Sequence, residues 1–497
     1  MTADGRHSIG RLATAGVFWS VVQTWSNRLI TFVIFVVLAR FLSPVEYGMA
    51  TAAWICLMLI GIIAEFGFGD AIVQRRDLKP SDINLPFAFS IGLSILLALG
   101  AALLAPWLEQ VMKVANAGPL IIGLAAIAPL TTISLFQEFS YRRNLDFKNL
   151  ATRVLIANTI GGIVAIIAAY LGAGAWSLIL QNYLTVIIGL IWLWRRPYWR
   201  PTREFHLPAF KEMARFGLPV FSLRLIDFAA TRLVDVIIVW RFGVAVLGIY
   251  AVGSRLYATM MQLLQGALNS VSLSVLSRIA DDRERMAQVY LRAITLSSLV
   301  AAPAFTLVAA LSNEICAVAF GAKWEGVDRI SQPLMLVGAI QCIQFLNGPY
   351  LTARGKPGLI LKIGIVKYAA MIIGLVLLPS SDVVMTVAIF ACLQLVATPP
   401  SFIAVARELH IPLLEIVRTL APSLVAHIAA FFSVGLLRPE VQSLGSPLLI
   451  GIALGAVFCG VYAATALIVG FAQVRSVQEF FMSQIANRRN RTSPQVD

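Results

Sequence analysis

The chain has 497 residues, 59% of them hydrophobic and only 13% charged, with a mean hydropathy of +0.83. A soluble domain carries roughly 25% charged residues, so this composition excludes a soluble enzyme or binding module and points to a polytopic membrane protein. The net charge of +14 would suit a nucleic-acid binder, but its distribution along the chain argues for a membrane and against nucleic acid.

Long apolar runs satisfy their backbone in lipid only as helices, so an all-α fold is expected. Fourteen spans are expected, at about 14–40, 47–68, 84–107, 118–138, 152–171, 174–194, 215–242, 247–274, 288–311, 330–352, 358–378, 383–405, 418–437 and 446–471. The first run continues into a full span with no small-residue cleavage site after it, so no secretory signal peptide is expected. Span 1 carries a polar stripe of Ser20, Gln23, Asn27 and Thr31, with Arg28 about 100° from Asn27. Such a stripe either faces a cleft or hydrogen-bonds a neighbouring helix.

Span 7 reads RFGLPVFSLRLIDFAATRLVDVIIVWRF and holds Arg224, Asp227, Arg232 and Asp235 in its interior. Each Arg precedes its Asp by one helical turn, a spacing at which the side chains can meet. All four fall within roughly 140° of the helix circumference. A charge near midspan costs about 2.5–3.5 kcal/mol on insertion scales, so this face is expected to look into the bundle or a watery cavity. Either the pairs neutralise one another and fix packing, or they line a transport pathway.

Arg28, Arg255 and Lys367 have no acid three or four residues away in their own helices. With Arg224 and Arg232 they make five cations against Asp227 and Asp235. Glu65 and Glu138 stand at the ends of spans 2 and 4, with Asp70 just beyond. If those edge acids do not reach inward, the bundle centre is net positive and calls for an anionic substrate.

Prolines 129, 219, 303, 333, 349 and 422 fall inside spans, where each removes a helix hydrogen bond. Residues 205–216 and 277–290 read as amphipathic connectors. The tail from Val474 to Arg491 sets apolar residues among basic ones, the pattern of a helix lying on a membrane surface. The five cysteines (Cys56, Cys316, Cys342, Cys392, Cys459) and four histidines (His7, His206, His410, His427) are dispersed. They give no metal-ligand or redox spacing, and no metal or other cofactor is expected.

Lys and Arg set the orientation. Alternate loops and the two termini hold 28 of the 39, against six on the other side and five within spans. Both termini are therefore expected in the cytoplasm, facing anionic inner-leaflet lipid. A shift of 201 residues brings Gly16 onto Gly217, Arg40 onto Arg241 and Phe41 onto Phe242. The expected organisation is a six-helix lobe (1–194), a cytoplasmic linker (195–214), a second six-helix lobe (215–405) in parallel repeat, an extra helix pair (406–471) and a basic tail (472–497).

Five motifs carry a resemblance. LARFLSPVEYGMA (38–50), AEFGFGDAIVQRRDL (64–78), FSYRRNLDFKNLA (139–151), FGAKW (320–324) and YLTARGKP (350–357) occur in this order. Together they resemble bacterial polysaccharide flippases of the multidrug, oligosaccharidyl-lipid and polysaccharide exporter (MOP) superfamily, nearest the colanic-acid and succinoglycan type. The resemblance covers about residues 10–405 and departs at SVLS (274–277), where a proline would be expected. It implies two six-helix lobes around a central cavity, in the bacterial inner membrane. It also implies that a polyprenyl-diphosphate-linked sugar repeat unit is turned from the inner to the outer leaflet, with a polymerase as possible partner. Guanidinium groups suit a diphosphate. Charge and depth alone select Arg28, Arg224 and Lys367 as its contacts, with Arg232 and Arg255 towards the exit. Asp227 and Asp235 would hold those arginines or carry a coupling proton. The competing functions are a drug antiporter, a peptidoglycan-precursor flippase, and a membrane glycosyltransferase or polymerase. The enzyme is disfavoured because the outer loop near 312–329 is short and offers no evident base beside Glu314, Glu325 and Asp328.

Overall fold

The computed structural model describes residues 25–75, 77–111, 116–276, 279, 282–378, 382–471, 473 and 475. Every regular element among them is a helix, and twelve are long and apolar enough to cross a membrane. Of the other two expected spans, only 25–41 of the first is described, and the seventh carries too many charges to count by composition. Ser20, Gln23 and the 474–491 segment of the tail lie outside the described residues, apart from Arg475. The chain divides into two compact units, one ending at Val252 and the other starting at Gly253.

In the first unit, α1 (25–41) leads into α2 (Pro44–Glu65) through a capping box. The Ser43 hydroxyl accepts from the Glu46 N–H at 3.3 Å, and the Glu46 carboxylate accepts from the Ser43 N–H at 2.8 Å. Phe66 and Gly67 then both take left-handed backbone (φ 50° and 74°), ending α2 and launching α3 (Phe68–Gln74) in a new direction. After α4 (Asn84–Val111), the next span is broken into α5 (Ala117–Ala125) and α6 (Ala128–Arg143) just ahead of Pro129. Then α7 (Phe147–Tyr170) and α8 (Trp176–Arg195) pair as a hairpin.

Residues 196–206 form a strap held along its length. The Tyr141 hydroxyl donates to the Arg196 carbonyl at 2.7 Å, and the Gln137 amide to the Trp199 carbonyl at 2.6 Å. The Trp199 indole is 4% exposed and donates to the Pro80 carbonyl at 2.8 Å. Asn84 bonds Thr202 and the Glu204 carbonyl, and His206 Nδ1 lies 3.1 Å from Asp82. From this strap rises α9 (Leu207–Phe242), 36 residues without interruption. The expected connector at 205–216 is thus the foot of this helix rather than a separate element. α10 (Val244–Leu276) follows after Gly243.

In the second unit α11 (Arg283–Leu296) passes through a π-helical turn, Ser297–Ala301, into α12 (Ala302–Ala310) just before Pro303. α13 (Ser312–Phe320) is short. α14 (Val327–Gln344) breaks before Pro349 into α15 (Asn347–Ala353). α16 (Pro357–Leu377) precedes α17 (Val383–Gln394), which reaches α18 (Thr398–Leu409) through a 3-10 turn beside Pro399 and Pro400. A proline cannot donate to the carbonyl four residues back and clashes with it, so the local winding changes at each of these places. Pro219, Pro333 and Pro422 stand inside continuous helices instead.

The final pair, α19 (Leu413–Val441) and α20 (Pro447–Val469), packs on α12 and α13. Ala310, Leu311, Ala430, Val434, Leu454 and Phe458 form its buried core. Arg438 donates to the Ala310 carbonyl at 2.7 Å and to Glu314 at 3.0 Å. His427 lies 2.9 Å from the Thr306 hydroxyl and 3.1 Å from the Ser298 carbonyl. The π-turn presents that carbonyl to a side chain because its own ladder is displaced there.

Candidate functional site: a charged helix against the 65–70 turn

Three residues of α9 at i, i+4 and i+7 face one place: Gly217, Phe221 and Arg224. Helical periodicity puts them on one stripe. Gly217 meets the turn backbone to backbone. A Cβ on Gly67 would lie 2.4 Å from the Gly217 carbonyl oxygen, and one on Gly217 would lie 2.5 Å from the Phe66 carbonyl oxygen. Only hydrogen fits on either side. Phe221 stacks on Phe66 with centroids 5.1 Å apart. One turn further, Arg224 donates through Nη1 to both oxygens of Glu65 at 2.6 Å and through Nη2 to Asp70 at 2.7 Å.

The acids owe their position to the turn. Glu65 is the last residue of α2, and the two left-handed residues after it bring Asp70, in the first turn of α3, back beside it. Gly69 leaves room for the Glu65 carboxylate, since a Cβ there would stand 2.7 Å from Oε1. Glu65 is 12% exposed, Asp70 36% and Arg224 39%. Beside the cluster, Arg75 pairs with Glu212 at 2.8 Å. A cavity of about 230 Å³ opens there, lined by Ala71, Gln74, Arg75, Glu212, Met213 and Phe216.

Two turns up α9, Arg232 bonds Asp235 at 3.0 Å, the one-turn spacing of the sequence. Its other amino group lies 3.8 Å from the Met58 sulfur, and its guanidinium sits 5.6 Å from the centre of the Trp54 ring. Asp235 is 4% exposed. Arg224 and Arg232 therefore both face α2.

The candidates divide between the units: Arg28, Arg224, Asp227, Arg232 and Asp235 lie in the first, Arg255 and Lys367 in the second. Arg28 is half-buried on α1, Asp227 is exposed on α9, Arg255 is exposed on α10 and Lys367 is half-buried on α16. Beside Arg28, the Asn27 side chain accepts from Asn158 of α7 at 3.2 Å, and Thr31 donates to the Asn27 carbonyl at 2.7 Å. These two neutral residues serve helix packing. Arg224 takes two carboxylates from the 65–70 turn, so the condition set for a net positive centre, that Glu65 and Asp70 do not reach inward, is not met at Arg224. The signal was present in AEFGFGDA (64–71), a helix stop with two glycines between two acids. Trp54 and Met58 had no such signal.

Among the described residues the chain is all helix, with twelve helices long and apolar enough to cross a membrane, two arginines of α9 held by acids and a broken helix in each of its two units. The sequence matches the family described as polysaccharide biosynthesis protein over residues 37–328, more than half of its 497 residues, and belongs to that family. It is 24% identical to the succinoglycan biosynthesis transport protein ExoT of Rhizobium meliloti, over 70% of each chain. It is 21% identical to the lipopolysaccharide biosynthesis protein WzxC of Escherichia coli, over 72% of this chain and 74% of that one. Its fold is similar to that of the lipid II flippase MurJ in an inward closed conformation, with TM-score 0.66 and 14% identity over 90% of this chain and 99% of that one. It is also similar to an inward-facing multidrug resistance transporter of the MATE family, with TM-score 0.59 and 15% identity over 78% and 98%.

Proposed function

We propose that this protein is a flippase of the bacterial inner membrane that turns polyprenyl-diphosphate-linked oligosaccharide repeat units from the inner to the outer leaflet by alternating access. The repeat units would serve exopolysaccharide, capsule or lipopolysaccharide synthesis. The observation that supports this reading is Arg224: a guanidinium in the interior of α9, held by three carboxylate oxygens and partly open to solvent, in a chain of the polysaccharide biosynthesis family. A diphosphate offers the paired oxygens that a guanidinium fork takes bidentately. Arg28, Arg232, Arg255 and Lys367 are the further cations assigned to the path, with Asp227 and Asp235 as charge partners.

In this proposal both termini and the basic tail face the cytoplasm, where 28 of the 39 Lys and Arg residues would lie. The two six-helix lobes, 1–194 and 215–405, carry the transport, the strap and the foot of α9 (195–214) join them, and 406–471 is an added helix pair; a polysaccharide polymerase or export machinery is the proposed protein partner. The reading is of a transporter, not an enzyme. A cation-coupled antiporter would want unpaired acids within the membrane. Glu65, Asp70 and Asp235 each sit on an arginine, which weighs against it.

The test is translocation in proteoliposomes of a short polyprenyl-diphosphate oligosaccharide, beside a polyprenyl-linked sugar lacking the diphosphate. Only the charged lipid should move, and Arg224→Ala should abolish export in cells while the protein stays inserted. Movement of both lipids, or normal surface polysaccharide in the Arg224 variant, would refute the diphosphate assignment. Transport of a cationic dye under an ion gradient, with neither lipid moving, would make the protein an antiporter.

A further inference from the structure

We propose that Glu65 and Asp70 act as a built-in stand-in for the substrate's diphosphate. The two carboxylates hold Arg224 closed against the 65–70 turn, and a diphosphate opens this latch by taking Arg224 over. The inference rests on the flippase reading above and adds how substrate binding would be coupled to movement.

Three observations carry it. The first is the oxygen set. Glu65 Oε1, Glu65 Oε2 and Asp70 Oδ2 surround the end of one guanidinium at 2.6–2.7 Å. Three oxygens on two linked anionic groups are what a diphosphate presents, so ligand and latch compete for the same donors. The second is the sharing of one donor group: two carboxylates five residues apart divide a single guanidinium between them, so each holds Arg224 by one of its two amino groups and not by the whole fork. The acids can also let go, since Asp70 is 36% exposed and can turn to water.

The third is the position on the helix. Gly217 and Pro219 stand one to two turns before Arg224, and Pro219 removes the ladder bond to the carbonyl of Arg215. Below that point the foot of α9 is fixed to the turn and to α3 by the Gly217–Gly67 contact and the Arg75–Glu212 pair. Above it, the Arg224 latch and the Phe221–Phe66 stack hold the helix to the same turn. Releasing Arg224 therefore removes the ionic hold beyond a point where the helix can bend.

The experiment measures binding of geranylgeranyl diphosphate to the full-length protein in lipid nanodiscs. Glu65→Gln/Asp70→Asn keeps the shape of both side chains and removes their charge. If the latch is closed about nine-tenths of the time, abolishing it raises apparent affinity about ten-fold, because apparent Kd scales inversely with the competent fraction. Asp70→Asn alone, which leaves the Glu65 bonds, should give a smaller gain and serves if the double variant does not fold. Arg224→Gln should weaken binding at least ten-fold and cancel the gain when combined with the acid variants. Affinity in the acid variants equal to or below wild type would overturn the latch and make the cluster a static brace. So would absence of binding in every variant. In either case, diphosphate-dependent translocation by wild-type proteoliposomes keeps the flippase reading, and its absence brings down both.

Discussion

Replacing Arg232 and Asp235 singly and together tests what the second charge pair on α9 contributes. Removing one member of a buried ion pair typically costs about 3–5 kcal/mol, chiefly because the survivor is left charged and unpaired, whereas replacing both with apolar residues is often neutral. The two members here are not equivalent. The Arg232 side chain is 31% exposed and the Asp235 side chain 6%. Arg232→Met therefore strands a carboxylate that has no route to water, and should cost about 3 kcal/mol or more. Asp235→Leu leaves an arginine that keeps its place by Trp54, a contact of about 0.5–2 kcal/mol, and should cost about 1 kcal/mol. The double variant should be more stable than Arg232→Met alone, giving a coupling of about 2 kcal/mol. The assay is reversible unfolding of the four proteins in one detergent under one set of conditions. Equal costs for the two single variants, with the double variant showing their sum, would refute the reasoning.

Three further outcomes follow from other contacts. A Cβ on Gly48 would lie 2.0 Å from the Val244 carbonyl oxygen, and one on Gly248 would lie 1.9 Å from the Pro44 carbonyl oxygen. Gly48→Ala and Gly248→Ala should each cost about 1–3 kcal/mol, and less than the sum together, because either one forces the same two helix ends apart; additive losses in melting experiments would argue against a shared contact. Trp199→Ala should cost about 3–5 kcal/mol and speed limited proteolysis within 196–206, whereas unchanged cleavage would mean that the strap does not depend on it. Burial pushes the Asp146 carboxyl up, but hydrogen bonds from the Asn149 side chain, the Asn149 N–H and the Tyr198 hydroxyl outweigh it and hold the group below its ordinary value. A lowered folded value means the contribution is fully present above the ordinary carboxylate range and fades as pH falls through the folded value. The stability gap between wild type and Asp146→Asn should therefore narrow from pH 6 towards pH 3, and a gap that widens would contradict it.

Much of the fold was legible because bilayer thickness and backbone satisfaction leave one solution for long apolar runs. Twelve spans emerge at or near their expected places. The ends were less legible. Nothing in the run 205–242 says that an amphipathic foot and a charged span form one continuous helix, since both share the same period. Proline is expected to disturb the helix at all six positions; the winding changes near 129, 303 and 349 and the helices run on through 219, 333 and 422, because neighbouring packing decides whether a helix yields. For the site, local spacing revealed Arg232–Asp235, a contact one turn long. It could not reveal Arg224 with Glu65 and Asp70, which joins residues more than 150 positions apart. That contact depends on a turn with two left-handed residues, of which only Gly67 is evident in the sequence. Phe66 takes that conformation with no composition to announce it.

The strap at 196–206 has a mechanical meaning beyond its hydrogen bonds. A connector fastened at Arg196, Trp199, Thr202, Glu204 and His206 cannot stretch or coil to absorb displacement, so it serves as a fixed mount for the helix that rises from it. With Pro219 as fulcrum, the stretch to Phe242 is a lever of about 35 Å at a rise of roughly 1.5 Å per residue. A tilt of about 10° there would sweep its tip through about 6 Å, slightly more than one helical pitch. Small changes around one guanidinium near the fulcrum would thus be read out at the far end, amplified by arm length alone.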